Sequence, residues 1–311
     1  MRVLVAGGAG FLGGTLCARL LDRGDEVVCV DNLITGTAEN IKAHADRSGF
    51  SFIEADVSAQ LRLDGPFEAI VNLACPASPA DFGSLALEIL EVGSRGVANL
   101  LELAHTHGAR FLQASTSEIY GEPQVHPQPE TYWGNVNPIG VRSVYDEAKR
   151  FGEALTMAFH RRHGLEVRLA RIFNTYGPGM RVDDGRVVSN FAIQALRGEP
   201  LTVYGDGTQT RSFCYVDDLA TALLALLASG YIGPVNVGSD EELDMLSVAR
   251  LVLEVSGSTS EITFAARPPD DPSVRRPDLT VARRELGWQP TTPFREGLTR
   301  TIEWFARRSG C

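Results

Sequence analysis

Short runs of aliphatic and β-branched residues alternate with longer amphipathic stretches through the first half of the chain. Arg2–Ala6, Glu26–Val30, Ser51–Ala55, Ala69–Ala74, Phe111–Ser115 and Val167–Phe173 read as strands. Phe11–Arg23, Leu85–His107 and Tyr145–His163 carry helical periodicity, and Gly24 and Gly108 stand where the first two should stop. Regular alternation of strand and helix predicts an α/β architecture with a doubly wound parallel sheet. After Asn174 glycine and proline become frequent and the elements shorten. Asp217–Ser229 predicts one more helix, and Pro234–Val237 a strand returning to the main sheet. A loop rich in Pro and Asp, Arg267–Asp278, precedes a final helical stretch. The expected division is a nucleotide-binding domain over residues 1–173 with a returning segment at about 208–237. A smaller C-terminal α/β substrate-binding lobe would take 174–207 and 238–311. There is no internal repeat and no low-complexity segment.

Charge narrows the possible partners. The 29 Lys and Arg residues are outnumbered by 39 Asp and Glu, a formal net charge of −10. Such a chain is a poor general partner for nucleic acid or an anionic membrane, so any polyanion must be held by a local arginine cluster. The longest apolar runs, such as Ala222–Ala228, fall far short of the ~20 residues that span a bilayer. Glycines interrupt the N-terminal apolar stretch, which argues against a secretory leader. Five scattered cysteines (Cys17, Cys29, Cys75, Cys214, Cys311) do not resemble a disulfide framework, and the six dispersed histidines do not suggest a metal site. A reduced, cytoplasmic protein without a metal is expected. Trp133, Trp288 and Trp304 read as packing residues.

Three constellations carry chemistry. Gly7, Gly10 and Gly13, with Phe11 and Leu12 between them, lie between the first strand and the first helix. Glycines there allow a tight turn and a close approach to a pyrophosphate. Asp31, 18 residues past Gly13, ends the second strand beside Asn32, where a carboxylate accepts from ribose hydroxyls and repels a 2′-phosphate. This predicts a Rossmann-type domain that binds NAD rather than NADP. Asp56 and Val57 after the third strand, and Leu73 and Ala74 after the fourth, sit at strand ends where ligands of open α/β sheets collect. The second constellation is Tyr145 and Lys149, which share a helical face at i,i+4, so that an ammonium can favour a phenolate. The third is Thr116, Ser117 and Glu118, 29 residues before Tyr145 when counted from Thr116. A hydroxyl there can bond a substrate oxygen while Tyr145 removes its proton, although Thr and Ser are also good helix caps.

Taken together, GGAGFLGG, Asp31, ASTSEIYG, YDEAK and RIFNTYGPG resemble the extended short-chain dehydrogenase/reductase superfamily of nucleotide-sugar enzymes. Four longer stretches are similar to its UDP-glucuronate decarboxylase branch, which makes UDP-xylose: Cys75–Phe82, Ser115–Gly140, Asp184–Phe213 and Asp270–Pro290. The likeness runs from Arg2 to about Pro290.

That resemblance implies roles. Tyr145 would take the proton of the sugar 4-hydroxyl while NAD accepts hydride from C4. Lys149 would hold the nicotinamide ribose and lower the tyrosine pKa, and Thr116 would bond the 4-oxygen. Glu118, helped by Ser117, would position the ring and a proton donor near C5. Arg275 and Arg211 would bind the diphosphate, Asn174 would reach towards it, and Val188 and Tyr204 would line the nucleoside pocket. A homodimer formed through a four-helix bundle is also implied. The branch usually has a serine at Cys75, an arginine at Gly179 and Ser-His at Gly14-Thr15, and the missing arginine removes a charge near the substrate lobe. A 4-epimerase remains open. A 4,6-dehydratase would want an acid where Ser117 stands, and a non-catalytic NAD sensor would not need Tyr145, Lys149 and Thr116.

Overall fold

The computed structural model describes residues 1–309, so Cys311 lies outside the described residues. Strand β1 (Arg2–Ala6) leads into helix α1 (Phe11–Asp22), followed by β2 (Glu26–Asp31), β3 (Phe50–Glu54) and β4 (Ala69–Asn72). Helices α2 (Ala86–Glu91) and α3 (Val97–His107), β5 (Arg110–Thr116), α4 (Ser143–His163) and β6 (Val167–Ile172) complete this half. With Pro234–Val237 these strands form one seven-stranded parallel sheet in the order Pro234–Val237, β6, β5, β4, β1, β2, β3. Chain direction across the sheet reverses between β1 and β4, which opens a crevice at their carboxyl ends. Strand periodicity sorts the two faces. Val3 and Val5 join the core under α1, whereas Leu4 and Ala6 join the core under α3.

The stretch expected as one long helix is divided by a π turn, Val92–Gly96. Gly93 is pressed against α4, where a Cβ would come within 2.5 Å of the Ala148 Cβ, and the wider turn accommodates that close crossing.

Downstream, α5 (Val187–Arg197), α7 (Met245–Ser256) and α9 (Phe294–Ser309) surround a second core that includes Phe191, Val203, Val248 and Phe305. Among the described residues three small sheets lie beside the main one, the smallest pairing Thr175–Tyr176 with Cys214–Tyr215. Leu201–Tyr204 pairs with Ile262–Ala265, and Thr210–Ser212 runs between Glu242–Asp244 and Val274–Arg275. The expected division shifts in two places. Thr210–Ser212 belongs to the lobe, so the chain returns to the main layer nearer Cys214, just before α6 (Val216–Ala228). The final helical stretch is two helices, and the first, α8 (Thr280–Leu286), packs on the main sheet with Leu279, Ala282 and Trp288 in its core. Trp304 packs against the lobe core, but Trp133 is 88% exposed and is not a packing residue.

Candidate active site

The loop after β1 is shaped by backbone contacts. Gly7 adopts a left-handed φ of +76°, and a Cβ there would lie 2.7 Å from the Ala74 nitrogen. A Cβ on Gly13 would lie 2.1 Å from the Gly7 carbonyl oxygen, so only glycine lets α1 seat against the loop. Gly10 caps α1 without a side-chain hydrogen bond, which leaves the helix N-terminus open to an anion. Asp31 is buried at the end of β2 and accepts from Ala9 N at 3.0 Å and Leu33 N at 2.8 Å. Burial pushes its carboxyl upward and these amides only partly offset that. Asn32 donates to Asp56 at 3.1 Å; burial opposes ionisation of Asp56, but bonds from Ser58 and Asn32 hold it below the ordinary range. Asp31, Asn32, Asp56, Val57, Leu73 and Ala74 line a cavity of about 420 Å³. Gly7, Gly10 and Leu73 also border a second cavity of about 360 Å³, into which Phe11, Leu12 and Gly13 face. The residues predicted for a dinucleotide thus border two adjoining cavities that share Gly7, Gly10 and Leu73.

Tyr145 and Lys149 meet Thr116 on the wall of the second cavity. Tyr145 is buried and stacks on Phe82, with centroids 5.2 Å apart and planes at 19°. The Lys149 ammonium donates to the Ala114 carbonyl at 3.0 Å and sits 5.6 Å from the Tyr145 ring centroid. Thr116 accepts from Glu118 N at 3.2 Å, so it also caps the short helical turn Ser117–Tyr120. Lys149 was expected to lower the tyrosine pKa. In the structure burial dominates and holds the phenol above its ordinary range; Cys75 adds to this, and the Thr116 hydroxyl opposes it.

Glu118 is gripped by two arginines. Arg275 engages it with both guanidinium nitrogens, one at 2.9 Å, and Arg142 reaches the same carboxylate at 2.8 Å. Burial alone would raise the Glu118 carboxyl, but the two cations outweigh it and hold the group at about 2. In this state Glu118 is an anion. Arg275 is thus paired with Glu118. Arg211 pairs with Asp271 at 2.9 Å; burial pulls its guanidinium down to about 10. Ser117, Asn174, Val188 and Tyr204 line the same cavity. Tyr204 is 43% exposed, so it is not locked in the core. Gly179 has φ +98°, and its Cβ position lies 3.4 Å from the Phe11 ring.

Residues 3–238 match the NAD dependent epimerase/dehydratase family. The chain belongs to that family. UDP-glucuronic acid decarboxylase 4 of Arabidopsis thaliana is 51% identical over 308 residues, covering 99% of this chain and 69% of that protein. UDP-glucuronic acid decarboxylase 5 of the same plant is 49% identical over 311 residues, covering 100% of this chain and 91% of the relative. Among solved structures, UDP-glucuronic acid 4-epimerase from Bacillus cereus, in complex with UDP-glucuronic acid and NAD, superposes with a TM-score of 0.90. It is 28% identical and the match covers 99% of this chain and 100% of the epimerase. The Rossmann-type α/β fold is therefore that of the epimerase/dehydratase family, and its NAD dependence fits the cradle of Gly7 and Gly13, which any Cβ would fill.

Four residues of this epimerase/dehydratase site escaped the sequence reading: Phe82, Arg142, Asp146 and Arg186. Phe82 supplies the face on which Tyr145 stacks. Arg186, paired with Asp184, is the cation that works with Thr116 to lower the Tyr145 pKa. Arg142, the cap residue of α4, and Asp146 within it bracket Tyr145 with i,i+4 spacing, and that spacing was the available signal. It was hidden because paired charges four apart are ordinary on exposed helix faces. Among the described residues no cluster of three or more His, Cys, Asp and Glu side chains could hold a metal, and no helix is long and apolar enough to cross a membrane.

Proposed function

We propose that this chain decarboxylates UDP-glucuronate to UDP-xylose and retains NAD between turnovers. The carrying observation is the pair of decarboxylases about half identical to it over nearly its whole length. Their similarity spans both the glycine cradle and the lobe that carries Arg211 and Arg275. Asp31 and the loop from Gly7 to Gly13 would hold the dinucleotide, which supplies a reversible two-electron acceptor beside the sugar. Thr116 binds the sugar 4-oxygen and Tyr145 takes the 4-hydroxyl proton. Because burial keeps Tyr145 a neutral phenol, its action as a base depends on nearby positive charge, from Arg186 and from the Lys149 ammonium 5.6 Å from its ring. Oxidation at C4 makes the sugar a β-keto acid. The bond from C5 to the carboxylate then breaks, carbon dioxide leaves, and the electron pair passes into the enolate of the 4-ketone. C5 gains a proton and C4 is reduced again, so the balance holds without net redox change.

A specific observation supports one second reading, 4-epimerisation of the same substrate, because the Bacillus cereus structure is a UDP-glucuronic acid 4-epimerase. A homodimer is part of the first reading. Leu87 and Leu90 on α2 and Phe151 on α4 are exposed apolar residues on adjacent helices, which suits a self-association face. The four cysteines among the described residues are free, which suits a reducing, cytoplasmic setting.

Proton NMR of the protein with UDP-glucuronate and catalytic NAD tests the assignment. UDP-xylose should appear, and a 4-epimer with the carboxylate intact would select the second reading. TDP-glucuronate in a parallel sample reports nucleotide preference. Tyr145→Phe should lower turnover by about 10³-fold while leaving NAD binding intact.

A further inference from the structure

Asp146 follows Tyr145 on α4 and is 5% exposed, yet its Oδ1 is buried and meets no donor among the described residues. Arg142, the cap residue just before α4 whose carbonyl accepts from Asp146 N at 3.1 Å, is buried too. Its Nη2 lies 2.8 Å from Glu118, but its Nε meets no acceptor among the described residues. An unmade acceptor and an unmade donor thus stand one turn apart at the head of α4, on groups close enough to feel each other's charge. A guanidinium carries five donors in a rigid fork, so a modest rotation can exchange one carboxylate for another.

We propose that Asp146 is a positioning residue, the second partner of Arg142. When an anionic substrate draws Arg275 away, Arg142 swings from Glu118 to Asp146 and one proton passes from Asp146 to Glu118. The exchange balances: a neutral Asp146 and an ionised Glu118 become an ionised Asp146 and a neutral Glu118, and both arginines keep their charge. It rests on the proposed decarboxylation, since it would supply a protonated Glu118 beside a sugar whose C5 must gain a proton. The surroundings favour the starting arrangement. Burial, then the charge of Glu118, pushes Asp146 up to about 7, while Arg142 and Arg275 pull it down and Glu147 on its own helix pushes it up. Asp271, from the loop before Val274–Arg275, faces Arg142. Below about pH 7 the proton therefore rests on Asp146 as long as both arginines hold Glu118.

The test is the pH profile of kcat with UDP-glucuronate for wild type, Asp146→Asn and Asp146→Glu. Wild type should show an inflection near pH 7. Asp146→Asn should lose it, with kcat down about 10- to 100-fold and KM within about twofold, and Asp146→Glu should restore it. A flat wild-type profile, or an inflection that survives in Asp146→Asn, overturns the proposal. If the asparagine variant does not fold, Arg142→Lys, with no fork to trade, should lose the same inflection, and its persistence there is equally fatal. Wild type inert towards UDP-glucuronate would instead remove the decarboxylase reading beneath it, so the two failures are distinct.

Discussion

The glycine cradle after β1 and the charge cluster around Glu118 border the same cleft but are built in opposite ways. In the cradle the contacts are backbone on backbone: Gly7 against Ala74, and Gly13 against the Gly7 carbonyl. Nothing there can rotate aside, and the residue type required is fixed by the absence of a side chain. Around Glu118 the contacts come from long side chains on separate segments, Arg142 at the head of α4 and Arg275 from a lobe strand. Those groups can exchange partners, so the arrangement depends on what occupies the cavity. The cradle is a shape made once by folding; the cluster is a charge distribution that a ligand can rearrange.

Removing a member of the cluster should therefore cost most. Glu118→Ala leaves Arg142 and Arg275 buried without their shared anion, a loss expected at about 3–5 kcal/mol of unfolding free energy together with loss of turnover. Urea unfolding reads the first and product formation the second. A stability change below about 1 kcal/mol would mean that water reaches the arginines freely, and the contrast with the cradle would collapse.

The same contrast explains what the chain disclosed before its structure. The sheet was legible because buried parallel strands are continuous apolar runs, and β1 and Pro234–Val237 fall where the pattern placed them. Gly7, Gly10, Gly13 and Asp31 were legible because steric demands leave a spaced residue signature. Tyr145, Lys149, Thr116 and Glu118 were found by spacing, and they do line one cavity. Partner choice was not legible. Nothing local in the sequence states that Arg275 will meet Glu118, 157 positions away, or that Trp133 will stand in solvent. The lobe boundary was misplaced for a related reason: Thr210–Ser212 is too short to show periodicity, and only its pairing with Glu242–Asp244 and Val274–Arg275 assigns it.

Stability as a function of pH separates the two carboxylates. Asp146 titrates near 3.8 when unfolded and at about 7 when folded, so between those values the folded state binds the extra proton. Stability should then fall as pH rises from about 4 to about 7, by a sum of order 2–4 kcal/mol. Glu118 works in the other direction. Its contribution is complete above its unfolded value of 4.5 and is lost as pH falls towards about 2. Together they place the maximum of these two contributions near pH 4–5. Asp146→Asn should flatten only the upper limb in denaturant titrations across that range. An unchanged upper slope would show that Asp146 is solvated or paired after all.

The smallest effect belongs to the cradle, where a single methyl separates contact from conformation. In Gly13→Ala the new Cβ would sit 2.1 Å from the Gly7 oxygen and 2.6 Å from the Gly8 Cα, both backbone atoms. The loop must shift, at about 1–3 kcal/mol, and the pyrophosphate site shifts with it. Gly24→Ala is the matched control. Gly24 has φ +85° but nothing within 4 Å of its Cβ position, so it should lose only about 1 kcal/mol, from left-handed strain, and leave NAD affinity alone. Thermal unfolding with and without NAD distinguishes them: the ligand-induced rise in Tm should shrink for Gly13→Ala and persist for Gly24→Ala. Equal rises in both would mean that the loop can be displaced without reshaping the site, and the cradle would then be as adaptable as the charge cluster.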